Sequence, residues 1–177
     1  MKVGIVADSH DDMEAIAKAV EVFNSRGVSL VIHAGDVVSP FTVEIFGGLK
    51  CPMEGVYGNN DGDRLLLRER YGGVFHPQPR TLSLDGRSAV VVHEHHLVES
   101  LAASGSFDLV VYGHTHTPDV RTVGGTLIVN PGKAARLHKG RATAAILDTA
   151  AMEAQVVDLY GLSSCPPSKN GVSCDYE

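Results

Sequence analysis

The chain has 177 residues, of which 44% are hydrophobic, and carries a formal net charge of −6. This length and composition predict one globular domain with a substantial core. The acidic balance argues against a broad basic face that binds nucleic acid electrostatically, and no apolar run approaches the ~20 residues that cross a membrane.

The first half of the chain predicts alternating strands and helices. Three short apolar runs predict strands: 3–7, 30–34 and 53–57. Apolar residues at helical spacing predict a helix over 13–23, which Gly27 ends as a C-cap. A second helix is predicted over 40–49, with Pro40 in its first turn. Crossover helices of this kind join parallel strands.

The second half predicts hairpins. Two pairs of strand-like runs are each joined by a glycine-containing turn: 81–84 with 87–92, and 119–123 with 126–129. A third pair of runs, 143–147 with 153–159, lies near the end of the chain. A strand over 109–112 and a short helix over 96–104 complete the pattern. The fold class predicted is α/β, a four-layer α/β/β/α sandwich with two mixed sheets.

The last residues differ in composition from the rest. Residues 1–162 are predicted to form the domain, and 163–177 a flexible C-terminal extension rich in Ser, Pro and Cys. A docked segment, or a bridge between Cys165 and Cys174, is the alternative. Three cysteines, with Cys51 as the third, do not make a disulfide framework. Because residues 1–8 also lack the features of a signal peptide, we expect a cytoplasmic protein.

Seven potential metal-binding side chains lie just downstream of the apolar runs. They are Asp8, His10, Asp36, Asn59, His93, His114 and His116. In open α/β sheets the ligand crevice lies outside the carboxyl ends of the strands, so these distant residues are expected to converge. Imidazole, carboxylate and amide oxygen are ligands of first-row divalent metals. His33, by contrast, is expected to be a packed or hydrogen-bonded core histidine.

The order of these motifs resembles the calcineurin-like metallophosphoesterases, in particular small single-domain bacterial and archaeal phosphodiesterases. The motifs are D-S-H, G-D, G-N-N-D, H-E-H and G-H-T-H, and the similarity covers roughly residues 1–160. The resemblance implies that one metal binds Asp8, His10, Asp36 and His116. It implies that a second binds Asp36, Asn59, His93 and His114, with Asp36 as the bridge.

Two divalent ions suit the chemistry that this resemblance implies. Ions ~3.5–4 Å apart share a water and lower its pKa, and the resulting bridging hydroxide attacks phosphorus in line with the leaving oxygen. The resemblance favours Mn²⁺, while the donor types also accept Ni²⁺, Fe²⁺, Co²⁺ or Zn²⁺. The expected substrate is a small phosphoester, most of all a phosphodiester. A homodimer is left open by the sequence.

The chain departs from the family pattern at two positions. Asn60 replaces the histidine of the common G-N-H-D motif, and an amide cannot act as a general acid. We therefore expect a preference for good leaving groups such as aryl esters, with His95 as a candidate substitute acid. Glu94 replaces the usual glycine of H-G-H, which predicts either a strained positive φ at Glu94 or a relaxed loop in which Glu94 points into the mouth of the cleft.

Three further alternatives are open. Arg64 and Arg68 follow the G-N-N-D motif and are expected either to reach the substrate or to be solvated helix charges. The chain is alternatively a protein-interaction scaffold, like the retromer subunit that shares this fold and has a degraded metal site. It is alternatively a nuclease, although the acidic charge argues against binding to polynucleotides.

Overall fold

The computed structural model describes residues 1–136 and 140–161. Its strands are β1 (Lys2–Val6), β2 (Leu30–His33), β3 (Met53–Val56), β4 (Phe75–His76), β5 (Arg80–Leu84), β6 (Arg87–Val91), β7 (Leu109–Val111), β8 (Pro118–Val123), β9 (Thr126–Pro131), β10 (Thr143–Asp148) and β11 (Glu153–Asp158). Its α-helices are α1 (Met13–Arg26), α2 (Val43–Phe46), α3 (Arg64–Arg70) and α4 (Val98–Ala103). Two short 3₁₀ helices precede α2 and α4, at Pro40–Thr42 and His95–Leu97.

The strands form two mixed sheets. One has the order β11-β10-β1-β2-β3-β4, in which β1 to β4 are parallel and β10 and β11 are antiparallel. The other has the order β5-β6-β7-β9-β8, with a parallel centre and antiparallel edges. The prediction of two mixed sheets is confirmed.

Three apolar cores lie between the layers of helices and sheets. Between the sheets, side chains such as Ile5, Ile32 and Val129 pack together. The outer face of the first sheet packs on α1, where Phe23 is fully buried. The outer face of the second sheet packs on α4 through residues such as Val98. Burial on both faces explains why the central strands are continuously apolar rather than alternating.

Local signals set the bounds of α1 as predicted. The side chain of Asp12 accepts a hydrogen bond from the Ala15 amide at 3.0 Å, and Gly27 ends the helix with φ 62°. The helix predicted over 40–49 is wrong in extent. That segment is a 3₁₀ turn followed by the four-residue α2, and Gly47 and Gly48 follow it, where glycine disfavours further helix.

Within residues 1–136 and 140–161, no helix has the length and apolar character needed to cross a membrane. The predicted extension 163–177, with its alternatives of docking or a bridge between Cys165 and Cys174, lies outside the described residues.

Candidate metal centre

The seven predicted ligands converge at one edge of both sheets. Each follows the carboxyl end of a parallel strand: Asp8 and His10 follow β1, Asp36 follows β2, Asn59 follows β3, His93 follows β6, and His114 and His116 follow β7. The loops of the two sheets meet directly, since the His114 amide donates to Asp8 Oδ2 at 2.9 Å. Side chains spread over more than a hundred positions of sequence thus form one cluster.

One half of the cluster contains Asp8, His10 and His116. The Nε2 atoms of His10 and His116 lie 3.2 Å apart. His116 Nε2 lies 3.5 Å from Asp8 Oδ1, and His10 Nε2 lies 3.7 Å from Asp36 Oδ2. The donor atoms of Asp8, His10 and His116 lie within 4.8 Å of one another, which is compatible with one shared ion.

The other half contains Asn59, His93 and His114. Asn59 Oδ1 lies 2.9 Å from His93 Nε2 and 2.9 Å from His114 Nδ1. His93 Nε2 also lies 3.5 Å from Asp36 Oδ2. Asp36 therefore faces both halves, as the predicted bridging role requires.

Two observations indicate that these donors suit cations. Asp8 is fully buried, and its Oδ1 atom accepts no hydrogen bond among the described residues. A buried carboxylate oxygen without a donor is costly unless a cation offsets its charge. The Nδ1 atom of His93 donates to the carbonyl of Ala34 at 2.8 Å, so Nε2, which is directed at Asn59 and Asp36, is the ring atom that would bind a metal.

Burial and neighbouring groups shift the pKa values of the two predicted acidic ligands. Desolvation raises the pKa of Asp8 to about 7, although nearby His93 and the His114 amide act in the opposite direction. Desolvation also acts to raise the pKa of Asp36, but hydrogen bonds from His93 and Asn60 outweigh it and the pKa falls below its ordinary value. Carboxyl groups whose pKa values are perturbed by burial and by specific partners are typical of functional sites.

The pKa values of the predicted histidine ligands are also shifted in opposite directions. Burial acts to lower the pKa of His93, but the hydrogen bonds to Asp36 and to the Ala34 carbonyl, together with the charges of Asp36 and Asp8, outweigh it and raise the pKa. Burial lowers the pKa of His114 and of His116, and neighbouring imidazoles add to the effect. His114 and His116 therefore favour the neutral form, which is the form that binds a metal.

Backbone strain is concentrated at this edge. Five predicted ligands have a positive φ: Asp8, His10, Asp36, His114 and His116, with φ between 40° and 70°. Non-glycine residues rarely adopt this region, and such residues cluster at functional sites. Gly58 is required beside them, because a Cβ there would lie 2.1 Å from Asp36 Oδ1.

Asp61 is a site residue whose role sequence reasoning missed. It is 2% exposed, and its carboxylate accepts from the amides of Asp36 at 3.0 Å, Gly58 at 2.7 Å and Val38 at 2.7 Å. It therefore joins the loops after β2 and β3. The signal that could have found it is the acidic residue at the end of the G-N-N-D motif.

His33 and Ser9 form a hydrogen-bonded pair next to the predicted ligands. His33 is fully buried; its Nδ1 accepts from the Gly35 amide at 3.2 Å and its Nε2 lies 3.1 Å from Ser9 Oγ. Burial lowers the pKa of His33 to about 3, so the ring is neutral. The structure thus matches the expectation of a hydrogen-bonded core histidine, and the pair joins the D-S-H and G-D loops.

The remaining candidates lie at the rim. Asn60 is exposed, with its amide and side-chain NH₂ donating to the Asp36 carboxylate at 2.8 and 2.7 Å. The His95 ring is exposed and stacks on His114 with centroids 5.6 Å apart. Glu94 has φ −78°, so the strained alternative is wrong and the loop is relaxed. Its carboxylate lies 3.5 Å from His96.

Arg64 has neither of the roles expected from the sequence. Its guanidinium donates to the carbonyls of Asp61 and Gly58, both at 3.1 Å, and lies over the Tyr57 ring. The first residue of α3 therefore holds the G-N-N-D loop from behind. A loop without regular structure leaves carbonyls unpaired, and the planar guanidinium satisfies two of them.

Comparison with known proteins agrees with this architecture. The family model of the calcineurin-like phosphoesterase superfamily domain matches residues 1–152. A phosphodiesterase of Methanocaldococcus jannaschii is 37% identical over 155 residues, covering 84% of this chain and 93% of its own.

Solved structures match as well. An archaeal phosphodiesterase superposes with a TM-score of 0.84 at 36% identity, covering 89% of this chain and 99% of its own. The phosphoesterase YfcE of Escherichia coli superposes with a TM-score of 0.75 at 21% identity, covering 94% and 97%. The second likeness, at low identity, bears on the fold alone.

Proposed function

The chain belongs to the calcineurin-like phosphoesterase superfamily, and on that premise we propose that it is a phosphodiesterase that uses two divalent metal ions. The observation that carries the proposal is the convergence of carboxylate and imidazole groups on the buried Asp8, whose Oδ1 accepts no hydrogen bond among the described residues. Asp8, His10, Asp36 and His116 would hold one ion, and Asp36, Asn59, His93 and His114 the other.

When bound, two such ions supply an activated water with a lowered pKa and positive charge against the phosphoryl oxygens. The residues of the chain orient these groups. The Asp61 carboxylate fixes the Asp36 main chain, and the Ala34 carbonyl fixes the His93 ring. The strained ligand loops hold the donors in place before substrate arrives, which lowers the reorganisation needed at the transition state.

Asn60 is proposed to act by position rather than as an acid. Its side-chain NH₂ donates to Asp36 Oδ2 at 2.7 Å, so it steadies the proposed bridging carboxylate. An amide has no proton to give a leaving oxygen at neutral pH. Protonation of a poor leaving group is therefore left to solvent or to His95, whose exposed ring stacks on His114. This supports a preference for diesters with good leaving groups.

The completeness of the ligand set supports hydrolysis over a scaffold role. A protein that only binds partners has no need to hold five residues at positive φ around a buried carboxylate, because such strain costs about 1–3 kcal/mol per residue. The net charge of −6 argues against a nuclease that grips a polynucleotide. Manganese, a cytoplasmic location, a homodimer and the domain limits 1–162 stay predictions.

A substrate screen tests the proposal. Purified protein would be assayed with aryl and alkyl phosphodiesters, cyclic nucleotides and phosphomonoesters, each with Mn²⁺, Ni²⁺, Co²⁺ or Zn²⁺. We expect the highest kcat/KM for an aryl phosphodiester. Faster turnover of monoesters than of every diester, with the same metal, would contradict the diesterase assignment.

A further inference from the structure

The second sheet has a gap in its main-chain pairing just before the first residue of strand β5. Strands β5 and β6 pair antiparallel as far as Arg80 and Val91. The same register, continued by two residues, places Gln78 opposite His93. Pro79 lies between and has no N–H to contribute to the ladder. The main-chain pairing therefore reaches only as far as Arg80 and Val91, and it does not include His93, the predicted ligand that follows β6.

The side chain of Gln78 fills this gap. Its Oε1 accepts a hydrogen bond from the His93 amide at 2.6 Å and another from the Glu94 amide at 3.3 Å. An amide oxygen thus supplies the acceptor that a strand carbonyl would have supplied. The glutamine reaches across 15 positions of sequence, from the β4–β5 connection to the H-E-H loop.

This contact completes the anchoring of His93. The ring is fixed through Nδ1 by the Ala34 carbonyl at 2.8 Å, and the His93 carbonyl accepts from the Gly113 amide at 3.1 Å. The His93 amide is its remaining main-chain polar group, and Gln78 binds it. With all three points held, Nε2 lies 2.9 Å from Asn59 Oδ1 and 3.5 Å from Asp36 Oδ2.

We propose that Gln78 is a positioning residue for the second metal site, acting through the main chain of His93 and Glu94. This role rests on the proposed function, since His93 has an ion to orient only if the site is dinuclear. Loss of the acceptor would free the loop and leave a half-buried amide unpaired. Partners that orient metal ligands typically change metal affinity ~10–100-fold when removed.

The test compares three variants of the full chain. Gln78→Met keeps the shape and removes the acceptor, and Gln78→Glu keeps an acceptor oxygen. Gln155→Met makes the same replacement at the other glutamine of the chain, which is exposed on the edge strand β11. Mn²⁺ titration of metal-free protein would give the two dissociation constants. Amide hydrogen exchange on the same metal-free protein would report the His93 and Glu94 amides.

We expect Gln78→Met to weaken the second Mn²⁺ site ~10–100-fold and to leave the first site within about threefold of wild type. Exchange of the His93 and Glu94 amides should speed up by about tenfold or more, whereas the amides of Gly58 and Asp36 should not change. Gln78→Glu should restore both properties, and Gln155→Met should match wild type. Gln78→Asn, shorter by one methylene, supplies the same comparison if Gln78→Met folds poorly.

Unchanged exchange at His93 and Glu94 in Gln78→Met would overturn the proposal, and so would a Gln78→Glu variant as defective as Gln78→Met. An equal loss at both metal sites would also overturn it, because that pattern indicates general damage. If wild-type protein binds no second Mn²⁺, the proposed function fails, and the assignment of a second-site role to Gln78 fails with it. Hydrogen exchange would then still report whether Gln78 anchors the loop.

Discussion

The carboxylate of Asp61 accepts a hydrogen bond from the backbone amide of Asp36 at 3.0 Å, so the last residue of G-N-N-D holds the proposed bridging ligand by its main chain. The same carboxylate also binds the amides of Gly58 and Val38. Three amides in a nearly inaccessible site therefore depend on one side chain. Two loops from neighbouring parallel strands are joined at that point.

Replacing this carboxylate is expected to loosen both the fold and the site. Asp61→Asn keeps one acceptor oxygen and turns an NH₂ group toward a backbone amide, which costs ~1–3 kcal/mol of unfolding free energy. Urea denaturation of metal-free protein measures this loss. Asp63→Asn is the matched control, because Asp63 caps α3 through the Leu66 amide and Asn caps a helix as well as Asp. Equal stability of the two variants would contradict the role of Asp61.

Single ligand replacements should separate the two proposed sites. His10→Ala is expected to leave one tightly bound Mn²⁺, held by Asp36, Asn59, His93 and His114. Asn59→Ala is expected to leave one held by Asp8, His10, Asp36 and His116. Asp36→Ala should bind neither ion tightly, because Asp36 belongs to both proposed sites. Native mass spectrometry counts the ions per chain.

The control for these variants is His76→Ala, since His76 pairs with Glu54 rather than with the cluster. It should retain both ions. Loss of both ions in His10→Ala and in Asn59→Ala alike would argue against two separable sites.

Burial of Asp8 predicts an unusual pH dependence of the metal-free protein. Desolvation raises its pKa to about 7, so the folded state holds this proton more tightly than the unfolded state. The resulting stability is complete below the unfolded pKa of ~4 and is lost as pH rises toward 7. Asp8→Asn removes the buried charge and should be more stable than wild type at pH 8, by about 1–3 kcal/mol.

The difference should vanish near pH 4, and excess Mn²⁺ at pH 8 should reverse it, because wild type alone keeps the complete ligand set. Thermal denaturation with and without metal, across this pH range, checks the sign. An Asp8→Asn variant that is less stable than metal-free wild type at pH 8 would show that Asp8 contributes to folding without metal.

The convergence of the seven proposed ligands was predictable because strand ends can be located from apolar runs. Asp8, Asp36 and His93 each follow such a run, and parallel strands bring their carboxyl ends to one edge. The contact of Gln78 was not predictable, since it depends on the residue at which β5 begins. Arg64 binds loop carbonyls whose direction only the folded loop defines. The φ of Glu94 was likewise not predictable, because a residue type indicates a range of φ and not its value.

Restoring a histidine at position 60 is expected to broaden the leaving-group range. Asn60→His adds a group able to protonate the leaving oxygen, which typically contributes ~10²–10⁴-fold. The ratio of kcat/KM for a dialkyl over a diaryl phosphodiester should rise by about tenfold or more. Metal content must match wild type, because Asn60 also donates to Asp36. An unchanged ratio with both metals bound would contradict the account of Asn60.

Titration of metal-free protein with Mn²⁺, followed by hydrolysis of an aryl phosphodiester, tests the central claim most directly. The two-ion account predicts little activity at one ion per chain, a plateau at two, and loss of activity on chelation. Hydrolysis that is independent of added and removed metal, or an inert protein at saturating Mn²⁺, would contradict it.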